Sequence, residues 1–308
     1  MRAVQYGAYG GPEVLEEVTL PDPVAGPGEV VVALSAASVT PFDCKLRAGA
    51  LRQFFEVDFP KVPGRDGAGV VQSVGAGVTG LAPGDAVCLM AGQGRPGSYA
   101  TLRLSRPEEL LPIPAGMVPL DAAALVNAGL SAWICVAEVA HVAAGMRVLI
   151  HGGSGAVGGL IVQLCRHLGA EVTATCSAAH AAMVEGLGAS RVIAYDREDF
   201  GTLRDMDVVF DLVGGETHAR SYPVLRRGAH LVWLVAEPIE DRGAEHGVRV
   251  TRAMISDRRE PVAAMLDLAA RGVLRPLIAG TLPLSRAAEA QRLVGAGRGL
   301  GGRMMLAI

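Results

Sequence analysis

The residues best suited to chemistry form a glycine cluster, HGGSGAVGG, at positions 151–159. Three of its glycines satisfy the spacing G-x-G-x-x-G, directly after the apolar run RVLIH and before a stretch with helical periodicity. Glycine is needed there because the strand must turn sharply, the backbone must approach a pyrophosphate, and the helix must pack close to the strand. The phosphates then lie at a helix N-terminus, whose free N–H groups favour negative charge. The motif predicts a dinucleotide site formed by Gly153, Ser154, Gly155, Ala156, Val157 and Gly158.

The next predicted strand indicates which dinucleotide binds. A site for NAD carries an Asp or Glu about 20 residues beyond the motif, where it accepts a hydrogen bond from the ribose 2′-hydroxyl. Residues 172–184, VTATCSAAHAAMV, contain no acidic residue. Ser177 and His180 stand instead where the 2′-phosphate of NADPH would lie, with an ordinary surface histidine as the alternative for His180. This pattern favours NADPH as the cofactor.

Two kinds of element must position these residues. From about residue 145, six apolar strand patterns alternate with helical patterns, which is typical of an α/β fold with a doubly wound parallel sheet. Residues 1–115 contain short β-rich runs between Gly/Pro turns, which indicate a small antiparallel barrel or sandwich. The last strand, RMMLAI, resembles the N-terminal half. We therefore predict one domain from residues 1–118 with 258–308, and a second from residues 119–257.

Composition excludes several classes of protein. The net charge of −3 and the pI of about 6.2 argue against nucleic-acid binding. The most apolar stretch, 118–144, is interrupted by polar residues, and the N-terminus lacks the apolar core of a signal peptide. The five cysteines include no C-x-x-C pair, which is typical of free thiols in a reducing compartment. We expect a cytoplasmic protein that binds neither nucleic acid nor membrane.

Several segments in the same order resemble the medium-chain dehydrogenase/reductase superfamily, and specifically its zinc-free quinone oxidoreductase (zeta-crystallin-like) and enone reductase branch. The resemblance implies a GroES-like β-barrel domain for the substrate, a Rossmann domain for NADPH, and a homodimer. It also implies that Ser177 and Tyr195 hold the 2′-phosphate, with His180 in the place of a usual lysine. The segments that carry it are SVTPFDCKLRAG (38–49), VPGRDGAGVVQSVGAGVTGLAPGDAV (62–87), AGLSAW (128–133), HGGSGAVG (151–158), DVVFDLVGG (207–215) and GRMML (302–306).

The same resemblance implies that no metal is bound. Zinc-dependent relatives have a cysteine where Thr40 stands and a His-Glu pair where Arg65 and Asp66 stand, and these replacements cannot form a Cys/His zinc site. The structural zinc lobe needs four cysteines, and the corresponding region contains only Cys88. Cys44 lies out of register with the ligand position, so we expect a buried free thiol there.

The segment 40–47 supplies the catalytic candidates. Thr40, Pro41 and Asp43 read as a variant capping box at a helix start, and Thr40 is alternatively a hydrogen-bond donor to substrate. Lys45 is a candidate cation near a developing enolate, with a solvated helix face as its alternative. The resemblance places Asn127 and Ser131 beside the nicotinamide, and Val213 where backbone lies along the cofactor.

These features predict an oxidoreductase. Without a metal Lewis acid an alkoxide is poorly stabilised, whereas quinones and α,β-unsaturated carbonyls accept hydride more readily. We therefore expect an NADPH-dependent reductase of such small molecules, acting by direct hydride transfer. The alternatives are an enoyl reductase of carrier-bound thioesters and a non-enzymatic NADPH-binding protein.

Overall fold

A computed structural model describes residues 1–92, 95–235, 238–297 and 300–308. The chain forms two compact units. The first contains Met1–Asn127, Val262–Ala270 and Ile278–Ile308, and the second contains Ala128–Pro261 and Arg271–Leu277. The first boundary thus lies nine residues beyond the predicted residue 118, and the short segment 271–277 belongs to the second unit.

The first unit contains most of the β-structure predicted for residues 1–115. Its helices are α1 (Pro41–Arg47), the first part of α2 (Pro119–Trp133), most of α7 (Arg259–Ala270) and α8 (Ala287–Gly295). Its strands are β1 (Arg2–Gln5), β2 (Glu16–Thr19), β3 (Val30–Val39), β4 (Asp66–Val74), β5 (Ala86–Met90), β6 (Leu102–Ser105), β7 (Leu110–Pro112), β14 (Ile278–Pro283) and β15 (Arg303–Ala307).

Strand β3 is the centre of the first unit's larger sheet, which has the order β14-β15-β3-β4-β5-β7 with β6 also paired to β3. Most of its ten residues are buried because β4, β6 and β15 all pair with it. The antiparallel pairing of β15 with β3 confirms that the last strand returns to the N-terminal half. The antiparallel pairing expected for residues 1–115 is confirmed by the pairings among β1 to β7. Strand β14, which lies outside that range, pairs parallel to β15 because helix α8 connects the two.

The second unit is a six-stranded parallel sheet with the order β10-β9-β8-β11-β12-β13. This is the strand order of a Rossmann fold, and it confirms the predicted doubly wound sheet. The helices between its strands are α3 (Ala156–His167), α4 (Ala181–Gly186), α5 (Gly215–Ser221) and α6 (Gly243–His246). The strands are β8 (Arg147–His151), β9 (Glu171–Cys176), β10 (Arg191–Ala194), β11 (Met206–Asp211), β12 (Leu225–Trp233) and β13 (Arg249–Arg252).

The helix that follows β11 is shorter than the sequence predicts. The pattern THARSYPVLRRG (217–228) predicts a helix to about residue 228, but α5 ends at Ser221 and β12 begins at Leu225. Pro223 lies between them and lacks the N–H group that a helix interior requires, so the chain leaves the helix there.

Among the described residues, the helical segment Pro119–Val139 is long and apolar enough to cross a membrane by length and composition. However, 72% of its most apolar window is buried inside the protein. Such burial is typical of a core helix in a soluble protein.

Candidate functional site

The glycine loop leads from the end of β8 to the start of α3. Gly155 is the N-cap of α3, its first turn contains no acidic residue, and no side chain caps it. The N–H groups of that turn are therefore free to bind an anion. The loop is held against β9 by a hydrogen bond of 2.9 Å from the Gly153 N–H to the Thr175 carbonyl oxygen.

The tight packing of this loop explains two of its glycines. A Cβ atom at Gly158 would lie 2.1 Å from the Gly152 carbonyl oxygen, and one at Gly153 would lie 2.8 Å from the Ala174 Cβ. Gly152 itself has φ +78°, which side chains rarely tolerate. This arrangement of close-packed backbone and free N–H groups fits a dinucleotide pyrophosphate.

The three residues predicted to hold a 2′-phosphate lie after the carboxyl ends of two paired strands. Ser177 follows β9, and its Oγ forms a hydrogen bond of 3.1 Å with Nδ1 of His180. Tyr195 follows β10, its side chain is 61% exposed, and its N–H donates to the Cys176 carbonyl oxygen at 3.0 Å. Parallel pairing of β9 with β10 brings these residues to the same edge of the sheet.

Sequence reasoning missed Asp196 at this edge. Its carboxylate accepts a hydrogen bond of 2.9 Å from the Ala178 N–H, in the turn that holds His180. Its position directly after Tyr195 was the available signal, because residues that follow neighbouring parallel strands meet at one sheet edge.

Val213 lies in a turn that is organised by the last residue of β11. Oδ1 of Asp211 accepts hydrogen bonds from the N–H groups of Val213, at 2.9 Å, and Gly214, at 2.8 Å. Oδ2 of Asp211 accepts a hydrogen bond of 2.7 Å from Nδ1 of His218. Burial alone would raise the pKa of Asp211, but the hydrogen bonds from His218, Gly214 and Val213 outweigh it and lower the pKa. Asp211 lies within the segment DVVFDLVGG (207–215), but sequence reasoning gave neither Asp211 nor His218 a role.

His151 has a structural position at the end of β8. Its ring is fully buried, and its two nitrogens lie 3.1 Å from the hydroxyls of Thr175 and Ser221. Burial lowers the pKa of His151 to about 4, so it is neutral at physiological pH. Its position at the end of the predicted strand RVLIH favours a buried structural histidine, and its burial confirms this.

Asn127 and Ser131 lie one turn apart on α2. Asn127 is half-buried and Ser131 is buried. Asn127 is assigned to the first unit and Ser131 to the second. Their predicted contact with nicotinamide stays a prediction.

Thr40 begins α1 in the predicted capping box. Its Oγ1 accepts a hydrogen bond of 3.1 Å from the Asp43 N–H. Oδ2 of Asp43 in turn accepts from the Thr40 N–H at 2.9 Å and from the Thr40 hydroxyl at 2.7 Å. The capping box is therefore confirmed. In this arrangement the hydroxyl proton of Thr40 is directed to Asp43, so donation to a substrate would require that hydrogen bond to break.

Next to α1 lies a cavity enclosing about 540 Å³, part of it open to solvent. Phe42 and Phe55 form an aromatic wall, with ring centroids 5.3 Å apart. Three basic residues also line the cavity, namely Lys61, Arg65 and Arg95. Lys45 is half-buried on the last turn of α1 and is not among the described residues lining this cavity. Its catalytic role stays a prediction.

Buried charges lie beside the cavity. Asp43 lines it, and Asp66 accepts a hydrogen bond of 2.7 Å from the Ser38 hydroxyl. Burial raises the pKa of both carboxyl groups, that of Asp66 to about 6, while Arg65 and Arg303 act in the opposite direction. Within the segment 40–66, Asp43 and Arg65 therefore bring a carboxyl group and a guanidinium group to the cavity lining.

Comparison with known proteins identifies the family. Residues 26–115 match the family described as "Alcohol dehydrogenase GroES-like domain", and residues 187–302 match "Zinc-binding dehydrogenase". The 2-haloacrylate reductase of Burkholderia sp. is 32% identical over 324 residues, covering 96% of each chain. The chain belongs to the medium-chain dehydrogenase/reductase superfamily. It is therefore an NAD(P)-binding oxidoreductase.

Solved structures of this superfamily agree with both halves of the fold. The quinone oxidoreductase of Coxiella burnetii has a TM-score of 0.90 and 30% identity, covering 100% of this chain and 99% of that one. The Escherichia coli quinone oxidoreductase complexed with NADPH has a TM-score of 0.89 and 25% identity, covering 100% of both chains. The first unit is thus the GroES-like domain of the superfamily, and the second is its Rossmann domain.

The positions that hold catalytic zinc in some members of the superfamily carry Thr40, Arg65 and Asp66 in this chain. Within the described ranges, no group of three or more His, Cys, Asp or Glu side chains is placed to hold a metal ion. All five cysteines are buried free thiols, including Cys44, whose Sγ lies 3.5 Å from the Gln291 carbonyl oxygen. Thr40 provides a hydroxyl that is hydrogen-bonded to Asp43, and Arg65 provides a guanidinium. These groups are not the donor set of a zinc site.

Proposed function

We propose that the protein is an NADPH-dependent reductase of quinones or α,β-unsaturated carbonyl compounds that acts by direct hydride transfer. The observation that carries the cofactor choice is the Ser177–His180 pair with Tyr195 at one sheet edge, together with the absence of an acidic residue from 172–184. The neighbouring quinone oxidoreductase complexed with NADPH supports this choice, and the Burkholderia relative, named as a 2-haloacrylate reductase, supports the reductase activity.

NADPH supplies a hydride when it is bound. The N–H groups at the start of α3 would hold its pyrophosphate, and Ser177, His180 and Tyr195 would hold its 2′-phosphate. The Asp211 carboxylate fixes the Val213–Gly214 backbone, which would lie along the nicotinamide end with Asn127 and Ser131. The residues of the second unit therefore bind and orient rather than react.

In the proposed reaction, the carbon β to the substrate carbonyl gains the hydride. The displaced π electrons move to the carbonyl oxygen, and the resulting enolate takes a proton from water at the α carbon. A cation or hydrogen-bond donor near that oxygen lowers the barrier. Lys45 is our candidate for this role, with Thr40 positioning the start of α1.

The test measures NADPH oxidation with para-quinones, enals and enones, using wild type and Lys45→Ala. We expect turnover by wild type and a lower kcat for the variant, and an unchanged rate would return Lys45 to the solvated helix face. Activity on carrier-bound enoyl thioesters but not on free acceptors would favour the enoyl reductase. If the protein binds NADPH tightly but oxidises it with none of these acceptors, the enzyme proposal is overturned.

The cofactor choice is tested separately with His180→Lys. A lysine ammonium carries a full positive charge and makes a charge-assisted contact to phosphate. We expect wild type to bind NADPH better than NADH, and we expect the variant to increase that preference by about tenfold. Equal affinity of wild type for NADPH and NADH would refute NADPH as the cofactor.

A further inference from the structure

More basic than acidic side chains line the cavity of the first unit. Its basic lining residues are Lys61, Arg65 and Arg95, and its acidic ones are Asp43 and Glu56. Asp43 is engaged by Thr40 through two hydrogen bonds. Glu56 is exposed to solvent, where its charge is screened.

Among the described residues, Arg95 shares its acidic partner with a second guanidinium. That acid, Glu109, is already bound by Arg103 through hydrogen bonds of 3.0 and 3.4 Å, and it also accepts from the Arg106 N–H at 2.8 Å. Nε of Arg95 lies 3.7 Å from Glu109 Oε1, beyond hydrogen-bond distance. Nε and Nη2 of Arg95 are buried and form no hydrogen bond to the described residues. Buried donors of this kind favour a ligand that accepts from them.

The other cations are held in fixed positions. The guanidinium of Arg65 lies over the Phe42 ring, 5.2 Å from its centroid. Nζ of Lys61 donates a hydrogen bond of 2.7 Å to the Arg95 carbonyl oxygen, which fixes the backbone that carries Arg95. Two guanidinium groups beside the edge-packed Phe42 and Phe55 rings provide binding both for a planar anion and for a flat conjugated group.

We propose that this cavity binds the carboxylate of an acceptor, with Arg95 and Arg65 holding the carboxylate and the Phe42–Phe55 wall packing against the conjugated part. The substrate class is then an enone or quinone that carries a carboxylate, a proposal that rests on the reductase function above. Arginine suits this role because its planar donors match the two oxygens of a carboxylate.

The test compares β-benzoylacrylic acid with its methyl ester. Both contain the same enone, but the ester is the better electrophile, so a preference for the acid reports on recognition of its charge. We expect wild type to have a higher kcat/KM for the acid. Arg95→Gln and Arg65→Gln should each raise the ratio of KM for the acid to KM for the ester by about tenfold, equal to about 1.4 kcal/mol. Arg95→Lys should recover part of the loss.

Arg52→Gln is the matched control, because Arg52 is an exposed cation of the same unit that does not line the cavity. It removes the same net charge, so it should change the ratio of acid to ester by less than about twofold. Equal KM values for acid and ester in wild type, or equal effects of Arg95→Gln on both, would overturn the proposal. Thermal unfolding of each variant verifies that it is folded.

Binding of β-benzoylpropionic acid, the saturated product, separates this proposal from the proposed function. Calorimetry measures its Kd without turnover, with its methyl ester as the comparison. If no acceptor is reduced but the acid binds and Arg95→Gln weakens it about tenfold, the cavity assignment stands and the reductase function fails. If enones are reduced but the saturated acid binds no better than its methyl ester, the reductase function stands and the cavity assignment fails.

Discussion

The helical glycines of the second unit differ in how much space surrounds them, and this difference has consequences for single substitutions. Gly158 is packed against the carbonyl of Gly152, so that a Cβ atom would overlap it, whereas a Cβ atom at Gly186 in α4 would meet nothing within 4 Å. Both residues lie in helices, where alanine is intrinsically better than glycine. Backbone contact, rather than helix propensity, therefore decides the outcome at each position.

We predict that Gly158→Ala lowers the affinity for NADPH about tenfold or more and destabilises the protein by about 1–3 kcal/mol, because loop and helix must separate to admit the methyl group. Gly186→Ala should be neutral or slightly stabilising. Fluorescence titration with NADPH and urea denaturation measure the two effects. Equal behaviour of the two variants would show that the close approach at Gly158 is not required.

At the scale of elements, α1 connects the sheet of the first unit to the cavity. It begins directly after β3, it is fixed by the Thr40–Asp43 capping box, and it contributes Phe42 and Asp43 to the cavity lining. The cap is buried, so its hydrogen bonds have no solvent replacement. The start of α1 therefore controls both stability and the shape of the cavity.

Thr40→Ala should destabilise the protein by about 1–3 kcal/mol, since it removes the N-cap acceptor and leaves the buried Asp43 without its hydroxyl donor. Thr40→Ser keeps both groups and should lose less than about 1 kcal/mol. Urea denaturation of the three proteins measures the difference. A Thr40→Ser variant that is as unstable as Thr40→Ala would mean that methyl packing, not the cap, holds α1.

At the scale of the whole molecule, buried titratable groups link stability to pH in opposite directions. Burial raises the pKa of Asp66 from 3.8 to about 6, so this group favours the folded state below pH 3.8 and loses that contribution as the pH rises through 6. Burial lowers the pKa of His151 from 6.5 to about 4, so this group contributes stability above pH 6.5 and loses it as the pH falls through 4. The two effects oppose each other between pH 4 and 6.

We predict that His151→Gln flattens the dependence of unfolding free energy on pH by about 3 kcal/mol between pH 4 and 6.5, because the shift in the pKa of His151 spans that interval. The contribution of Asp66 is common to both proteins and cancels in the difference. His167→Gln is the control, since His167 is exposed on α3. The measurement is a series of urea denaturations across this range. If wild type and His151→Gln have the same slope, His151 is not held neutral by folding.

The amino-acid sequence by itself predicted the glycine-loop motif and the strand–helix alternation, and the resemblance to the superfamily implied the replacement of zinc ligands at positions 40, 65 and 66. The first two features are local, since each depends on residue types at short spacing within one segment. The variant capping box at Thr40 could be predicted from the sequence for the same reason. The parallel order of the second sheet also followed, because alternating strands and helices leave few other topologies.

Only the tertiary structure decided which side chains and strands meet. Asp211 and His218 organise the Val213 turn through hydrogen bonds that their spacing in the sequence did not predict. Strand β14 pairs parallel to β15 although neither sequence specifies its neighbour. Arg95 became a candidate ligand only when Arg103 was seen to occupy Glu109. The physical reason is that the state of a charged or polar group, like the partner of a strand, depends on neighbours and burial that are created when the chain packs.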